Sequence, residues 1–213
     1  MISDAALTET GLTATGRGRV LVVACGALAR EILAIRDQAG LDHIDLHCLP
    51  AILHNDPDRI PAAVEAALIE RAGTYDSAFV AYADCGTGGA LRALCDRLGV
   101  AMIDGPHCYA FFEGLDAFAA RDEIDAFYLT DFLARQFDAF VTKPLGLDRH
   151  PALRDMYFGH YRKVVYLAQT DDPALDAKAR AAADALGLAY ERRFTGYGEL
   201  AAALSDAANN ASS

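Results

Sequence analysis

The sequence predicts an α/β fold, in which a Rossmann-like parallel sheet is flanked by helices on both faces and two similar halves are expected. Short apolar runs alternate along the chain with longer segments of helical periodicity. The apolar runs are nearly continuous, which is typical of parallel strands buried on both faces. With 213 residues, 53% of them hydrophobic, the chain can bury such a core without disulfide bonds.

Strands and helices alternate from residue 19 to residue 205. Strands are predicted at 19–24, 44–49, 77–83, 101–104, 126–130, 163–169 and 189–193. Helices are predicted at 27–38, 58–72, 88–98, 107–119, 131–141, 151–161, 173–186 and 197–205. The expected organisation is a flexible N-terminal lead (1–18), one α/β domain (19–205, with sub-halves 19–120 and 121–205) and a disordered tail (206–213).

Composition and charge exclude several classes of partner. The formal net charge is −11, and an acidic surface repels both the phosphate backbone of nucleic acids and anionic membranes. The apolar runs are too short to span a bilayer, and the first residues do not resemble a secretory signal. We therefore expect a cytoplasmic protein whose five cysteines are reduced thiols, acting on a small-molecule substrate. The oligomeric state is left open.

Thiol and imidazole side chains follow four consecutive predicted strands. Cys25 follows the first strand, His54 lies in the loop after the second, Cys85 follows the third and Cys108 follows the fourth. The carboxyl ends of parallel strands form one edge of a sheet, where such folds bind ligands. Three cysteines and one histidine are a normal ligand set for zinc, and three thiolates could instead bind an iron–sulfur cluster. The sequence therefore predicts a shared metal site.

Core packing is the alternative for each cysteine, since cysteine is among the most buried residue types and no C-x-x-C motif is present. Cys95 has the apolar spacing of its helix and is predicted to be a core residue. Cys48 and His47 are neighbours in a strand, so at most one of them faces the site. His107 precedes a candidate ligand and competes with His54 for the nitrogen position.

A glycine-rich segment follows the third predicted strand and precedes a helix. Its backbone N–H groups, at Gly86, Thr87, Gly88 and Gly89, could bind a phosphate or carboxylate group of a cofactor or substrate. Alternatively, the glycines only permit a tight turn. No dinucleotide-binding fingerprint, P-loop or nucleophile elbow is present, so nicotinamide and ATP are not expected.

Two carboxylates are candidates for proton transfer at this edge. Asp84 lies beside Cys85, and Glu31 lies in the first predicted helix, within reach of the strand ends. A solvent-exposed helix charge is the alternative interpretation for Glu31. We predict Asp84 and Glu31 as the catalytic acid–base groups.

Several short motifs in this sequence resemble the DUF1638 family of bacterial and archaeal proteins. The resemblance rests on Ala24-Cys25-Gly26 with Glu31, Leu53-His54-x-x-Pro57, Tyr82-x-x-Cys85-Gly86-x-Gly88, His107-Cys108 and Tyr128-Leu129-Thr130. It implies a cytoplasmic protein of unassigned function, associated with corrinoid-dependent methyltransferase systems, and it supports the four predicted ligands. The chain departs from the family pattern at Asp131-Phe132, where a tryptophan is expected, so the resemblance implies no role for the second half.

Three functional hypotheses remain open at this stage. The first is a metal-dependent enzyme that uses zinc as a Lewis acid and acts on a small substrate or one with a thiol or methyl group. The second is an iron–sulfur or cofactor-handling protein that serves a partner methyltransferase system. The third is a metal-free enzyme with Cys85 as the nucleophile at a helix N-terminus.

Overall fold

The computed structural model describes residues 2–210, which form two compact units. Unit 1 consists of residues 2–111 and 197–210, and unit 2 consists of Phe112–Gly196. The sequence predicted a division between residues 120 and 121, whereas the contacts place it between Phe111 and Phe112 and return the last helix to unit 1. Unit 2 is therefore an insertion within the chain of unit 1.

The described chain contains eight strands and ten α-helices. The strands are β1 (Leu12–Ala14), β2 (Val20–Cys25), β3 (Ile44–Leu49), β4 (Ser77–Ala81), β5 (Ala101–Met102), β6 (Ala126–Leu129), β7 (Lys163–Ala168) and β8 (Ala189–Phe194). The helices are α1 (Asp4–Glu9), α2 (Ala29–Ala39), α3 (Ile60–Glu70), α4 (Ala90–Leu98), α5 (Cys108–Glu113), α6 (Leu115–Arg121), α7 (Asp131–Arg135), α8 (Leu153–Phe158), α9 (Pro173–Leu186) and α10 (Gly198–Asn210). None of the described helices is long and apolar enough to cross a membrane.

Unit 1 is built on a five-stranded sheet in the order β1-β3-β2-β4-β5. The central strand β2 pairs in parallel with β3 and with β4, and β4 pairs in parallel with β5. Every residue of β2 is buried, as expected for a parallel strand covered on both faces. Unit 2 has a three-stranded parallel sheet in the order β6-β7-β8. These helix-flanked parallel sheets confirm the predicted α/β fold class.

Both ends of the described chain contain regular secondary structure outside the predicted elements. Residues 2–18 contain α1 and β1, and β1 adds an antiparallel edge to the sheet by pairing with β3. Leu7 of α1 is only 1% exposed, so a core contact orders this segment. At the other end, α10 continues to Asn210 and packs on α2 and β4. Ala208 is buried and its carbonyl accepts a hydrogen bond from His43. Regular secondary structure therefore lies within residues 2–18 and 206–210, which the sequence predicted as a flexible lead and a disordered tail; residues 211–213 lie outside the described chain.

A buried carboxylate organises the carboxyl ends of the strands in unit 2. Asp131, which follows β6, is 1% exposed. Its Oδ1 accepts hydrogen bonds from the Tyr166 hydroxyl (2.7 Å) and the Gln169 backbone N–H (3.0 Å). Its Oδ2 accepts hydrogen bonds from the Thr170 backbone N–H (3.0 Å) and hydroxyl (2.5 Å). Burial and the Asp131 carboxylate raise the pKa of Tyr166. This carboxylate is well satisfied, as a buried charge must be.

An ionic network joins β7 and β8 of unit 2 to the segments around them. Arg193 is 13% exposed and donates hydrogen bonds to Glu113, Glu123 and Glu191 at 2.6–2.8 Å. Lys163 binds Glu123 and Glu191, each at 2.7 Å. The hydrogen bond from Arg193 is the main reason that the pKa of Glu123 falls from 4.5 to about 2. Each cation of this partly buried network is thus paired with carboxylates.

Candidate functional site

The candidate site lies at the carboxyl ends of the strands of unit 1, beginning with Cys25 at the end of β2. The Cys25 thiol is buried and accepts a hydrogen bond from the Ala27 N–H at 3.3 Å, which caps a short 3₁₀ turn. Gly26 permits this close packing. A Cβ there would lie 2.2 Å from the Leu7 carbonyl oxygen and 3.0 Å from that of Leu49. A local glycine requirement therefore fixes the position of this thiol.

His54 lies in a 3₁₀ turn, Ala51–Asn55, after β3. Its Nδ1 is 3.1 Å from the Ala51 carbonyl oxygen and 3.7 Å from the Cys25 sulfur. A carbonyl oxygen can only accept a hydrogen bond, so Nδ1 bears a proton. In the neutral ring, Nε2 then has the lone pair. The imidazole is stacked with the ring of Tyr82 at a centroid separation of 6.2 Å.

Cys85 is in a turn after β4 with an unusual backbone conformation. Its φ of +51° is in the left-handed region, which non-glycine residues seldom adopt. Its N–H donates to the Pro106 carbonyl oxygen at 2.9 Å, joining this turn to the segment that precedes Cys108. Cys85 and Cys108 are partly exposed, whereas Cys25 and Cys48 are buried. Two of these four residues are therefore partly exposed and two are buried, although the sulfur of Cys108 is itself largely shielded from solvent.

Burial suppresses thiolate formation in most of this cluster. It raises the pKa of Cys25 to about 12, although the Ala27 N–H opposes the shift. The pKa of Cys108 is raised well above its usual value by burial and then by the neighbouring charges of Cys85, Cys25 and Glu31. Burial, Cys25 and Glu31 act in the same direction on Cys48. These mutual effects indicate that the thiols and Glu31 are close enough to interact.

The pKa of His54 is shifted by its neighbours in a way that favours the charged form, unlike the pKa values of the buried thiols. Burial acts to lower the pKa of its imidazole, but a hydrogen bond with Cys85, the charge of Cys85 and the Ala51 carbonyl together raise it. His107 is half-buried, and burial lowers its pKa against the opposing charge of Asp84. The His107 ring contacts Tyr109 at a centroid separation of 4.8 Å. Of the two histidines, His54 makes the contacts with the thiols.

The glycine-rich loop binds a carboxylate of the chain itself. Asp84 accepts hydrogen bonds from the Thr87 hydroxyl (2.9 Å), the Gly88 N–H (3.1 Å) and the Gly89 N–H (2.7 Å). A further hydrogen bond from Gly86 helps to lower the pKa of Asp84, although burial opposes the shift. Asp84 therefore stabilises the loop as an ionised acceptor, and the N–H groups predicted to bind an external anion have an internal one.

Glu31, the other predicted acid–base residue, lies in the first turn of α2 and is 4% exposed. Its charge raises the pKa values of Cys25, Cys48 and Cys108, so it lies beside the cluster. The alternative interpretation of Glu31 as a solvent-exposed charge is therefore wrong.

Two further residues at the site were not selected from the sequence. Cys48, which was ambiguous, is buried and near Cys25, while His47 bonds to Thr13 at 3.0 Å; this confirms that only one of the pair faces the site. Tyr82 is 1% exposed, and its pKa is raised by burial and by the charges of the surrounding thiols. The structure ends β4 at Ala81, so Tyr82 follows the strand directly, whereas the sequence predicted it within the strand 77–83. Cys95 is buried in α4, as predicted.

The donor set matches a zinc site in its chemistry but not in its arrangement. Sulfur and imidazole donors are those that zinc prefers. The Nδ1–H to carbonyl hydrogen bond of His54 is the type that orients metal-binding histidines. Among residues 2–210, no three His, Cys, Asp or Glu side chains form a preassembled group that could hold a metal ion. The donors thus fit zinc chemically, and coordination requires side-chain movement.

The family comparison covers most of this site. A family model described as a protein of unknown function, DUF1638, matches residues 48–204. The chain belongs to the DUF1638 family. The matched region includes His54, Cys85 and Cys108, while Cys25 lies before it. Neither the curated proteins nor the solved structures gave a match to this DUF1638 chain.

Proposed function

We propose that this DUF1638 protein binds one zinc ion through Cys25, His54, Cys85 and Cys108. The observation that supports the proposal is the convergence of soft thiol donors on an oriented imidazole at the carboxyl ends of parallel strands. A divalent cation would stabilise the thiolates that burial now disfavours. It would also offset the charge of Glu31 beside them.

The bound metal would act as a Lewis acid on a small substrate with a thiol or methyl group. A zinc site with a displaceable ligand can activate a thiol or a water molecule, and thiolate-rich ligation suits a sulfur-containing substrate. Cys85 and Cys108 are the exchangeable ligands in this proposal because they are partly exposed. The reduced state that such ligands require is consistent with a cytoplasmic protein and with a methyltransferase system as its partner.

Metal analysis of untagged protein, purified anaerobically, tests this proposal. We expect about one equivalent of zinc in the natural protein and in Cys95→Ala, a matched control that removes a thiol outside the cluster. We expect loss of that equivalent in Cys85→Ser/Cys108→Ser, with circular dichroism showing retained structure. Iron with acid-labile sulfide in place of zinc would support the iron–sulfur alternative instead. Protein without metal that fails to take up Zn²⁺ or Co²⁺ would refute the metal site.

A second candidate function, metal-free catalysis by Cys85, is favoured by its own set of observations. Cys85 is partly exposed, adopts a backbone conformation typical of functional sites, and interacts with the imidazole of His54. This pair resembles a cysteine–histidine nucleophile and base. In chelator-treated protein, iodoacetamide should then modify Cys85 first, and His54→Gln should slow that reaction about tenfold. Equal alkylation rates in the two proteins would reject this function.

A further inference from the structure

Unit 2 contains a cavity that plays no part in the thiol site. Its volume is about 690 Å³, within the range of small-molecule binding sites. One wall is formed by the end of α7 and the π-helical turn Asp138–Thr142, and the other by α9. Such a volume can accommodate an organic molecule of cofactor size.

The positive charge in this cavity is unusual for this chain. The chain has three lysines and a formal net charge of −11. Lys163 is bound by Glu123 and Glu191, but Lys143 and Lys178 both line the cavity, and neither makes an ion pair with any residue of the described chain. Both lysines are exposed, and an anion bound between them would interact favourably with each positive charge.

The remaining charged residues of the lining do not cancel the two lysines. Arg135 also lies in the wall but already has an interaction partner, and Asp138 is the acidic residue of the lining. One oxygen of Asp138 accepts a hydrogen bond from the Thr142 hydroxyl at 3.0 Å. Lys143, Lys178 and Asp138 together have a formal charge of +1, opposite in sign to the chain as a whole.

The backbone around the cavity is also irregular in a way that favours a binding site. The Lys143 N–H donates to the Asp138 carbonyl at 2.9 Å, five residues back, and the Leu147 N–H donates to Thr142 at 2.8 Å with the same spacing. Turns of this π type are rare and occur frequently at functional sites. On the facing helix, Ala181 and Ala185 present only methyl groups and leave room for an apolar part of a ligand.

We propose that unit 2 binds a small organic molecule with a multiply charged oxyanion, either a phosphate ester or a dicarboxylate. Lys143 and Lys178 bind the oxyanion, and the alanine-lined face of α9 contacts the organic part. The proposal rests on the cavity of unit 2 alone and is independent of metal binding or catalysis at the thiol site.

Calorimetric titration of the full chain tests this site with adenosine monophosphate, succinate and uncharged adenosine as probes. We expect saturable binding of adenosine monophosphate or succinate, and no binding of adenosine. Preference between the two anions distinguishes a phosphate ester from a dicarboxylate. Affinity should fall at least tenfold in Lys143→Gln/Lys178→Gln and should weaken as salt is raised, because the contacts are ionic and solvent-accessible.

A charge-matched control isolates the cavity from the overall charge of the protein. Arg149→Gln/Arg162→Gln also removes two exposed cations of unit 2, but neither residue lines the cavity. We expect less than a twofold change in affinity in this control. Equal weakening in both double variants would overturn the site in favour of non-specific charge attraction. Absence of binding by both anions at 5 mM, with circular dichroism showing folded protein, would also overturn it.

Discussion

Both units place polar side chains at the carboxyl ends of parallel strands, but these side chains differ in how many hydrogen-bond partners they have. In unit 2, the Asp131 carboxylate has four hydrogen-bond donors around its two oxygens. In unit 1, Cys25 has one backbone donor and a distant imidazole, and burial raises its pKa to about 12. A satisfied charge stabilises the fold, whereas a set of neutral, weakly bonded thiols is available for metal binding or chemistry.

The energetic reason lies in the cost of burying each group. A buried carboxylate is very unfavourable unless it is fully hydrogen-bonded, so its environment must be specific. A neutral thiol behaves as a small apolar group and requires few partners. Substitution of Asp131 should therefore mainly reduce stability, whereas substitution of the thiols should mainly reduce ligand binding.

The largest effect on stability is expected from Asp131→Ala. The substitution leaves the Tyr166 hydroxyl and two backbone N–H groups without their acceptor, at a cost of about 3–5 kcal/mol in the free energy of unfolding. Urea denaturation measures the loss. Asp131→Asn, which retains one acceptor oxygen, should lose less. A loss below about 1 kcal/mol in Asp131→Ala would show that this carboxylate contributes little to the stability of unit 2.

Metal affinity in unit 1 should rise steeply with pH. The pKa of Cys25 is about 12 and that of Cys108 is well above its usual value, so both thiols are protonated between pH 6 and 8. Each of these two thiols must lose its proton to bind zinc, so an affinity increase of at least about a hundredfold per pH unit is predicted. Calorimetry in two buffers with different ionisation enthalpies counts the protons. Affinity that is constant over this range would contradict the assigned ligands.

Acid should weaken unit 2 through Glu123. Its folded-state pKa of about 2 is below the ordinary 4.5, so its contribution is fully present above pH 4.5 and is lost as pH falls toward 2. The expected loss is about 2–3 kcal/mol, since the side chain is largely shielded from solvent. Unfolding free energies from pH 6 to 2.5 should decline less in Glu123→Gln. Parallel curves for the two proteins would show that this carboxylate is not the cause.

The smallest stability effect is expected from the thiols themselves. In metal-free protein, Cys108→Ala and Cys95→Ala should each cost about 1 kcal/mol in the free energy of unfolding, because each removes one small apolar group. Only Cys108→Ala should reduce the zinc content of protein that has not been treated with chelator. A loss of several kcal/mol in metal-free Cys108→Ala would place this residue with Asp131 as a structural group, and the distinction between the two units would fail.

The strand ends of unit 1 could be predicted because strand order and apolar runs are local properties of the sequence. Those runs placed Cys25 and Cys85 at one edge of a sheet, and His54 in the loop beside them. The interaction of His54 with Cys85 follows from that topology. The conformation of Cys85, with φ of +51°, could not be predicted because cysteine has no preference for it. The turn itself imposes that backbone angle.

The parts that sequence patterns missed all depend on contacts between distant residues. In the N-terminal segment, Leu7 is buried, and α1 packs against the turns that follow β2 and β3, although the segment as a whole is rich in polar residues. In the sequence, Asp131 has the pattern of an ordinary acidic residue at the start of a helix. The groups that donate hydrogen bonds to its carboxylate come from residues 166–170. The end of α10 is alanine-rich, so its order depends on packing against α2 and β4. Periodicity reports local structure and gives no information on such partners.

The insertion of unit 2 into unit 1 has a consequence for protein synthesis. All five cysteines have been translated by residue 108, but α10, which completes unit 1, emerges only after the whole of unit 2. Because domains generally fold as units during translation, unit 2 can fold on the ribosome while unit 1 still lacks its last helix. The thiols of unit 1 are therefore synthesised about a hundred residues before the helix that completes their unit, so the site forms its final surroundings late in translation.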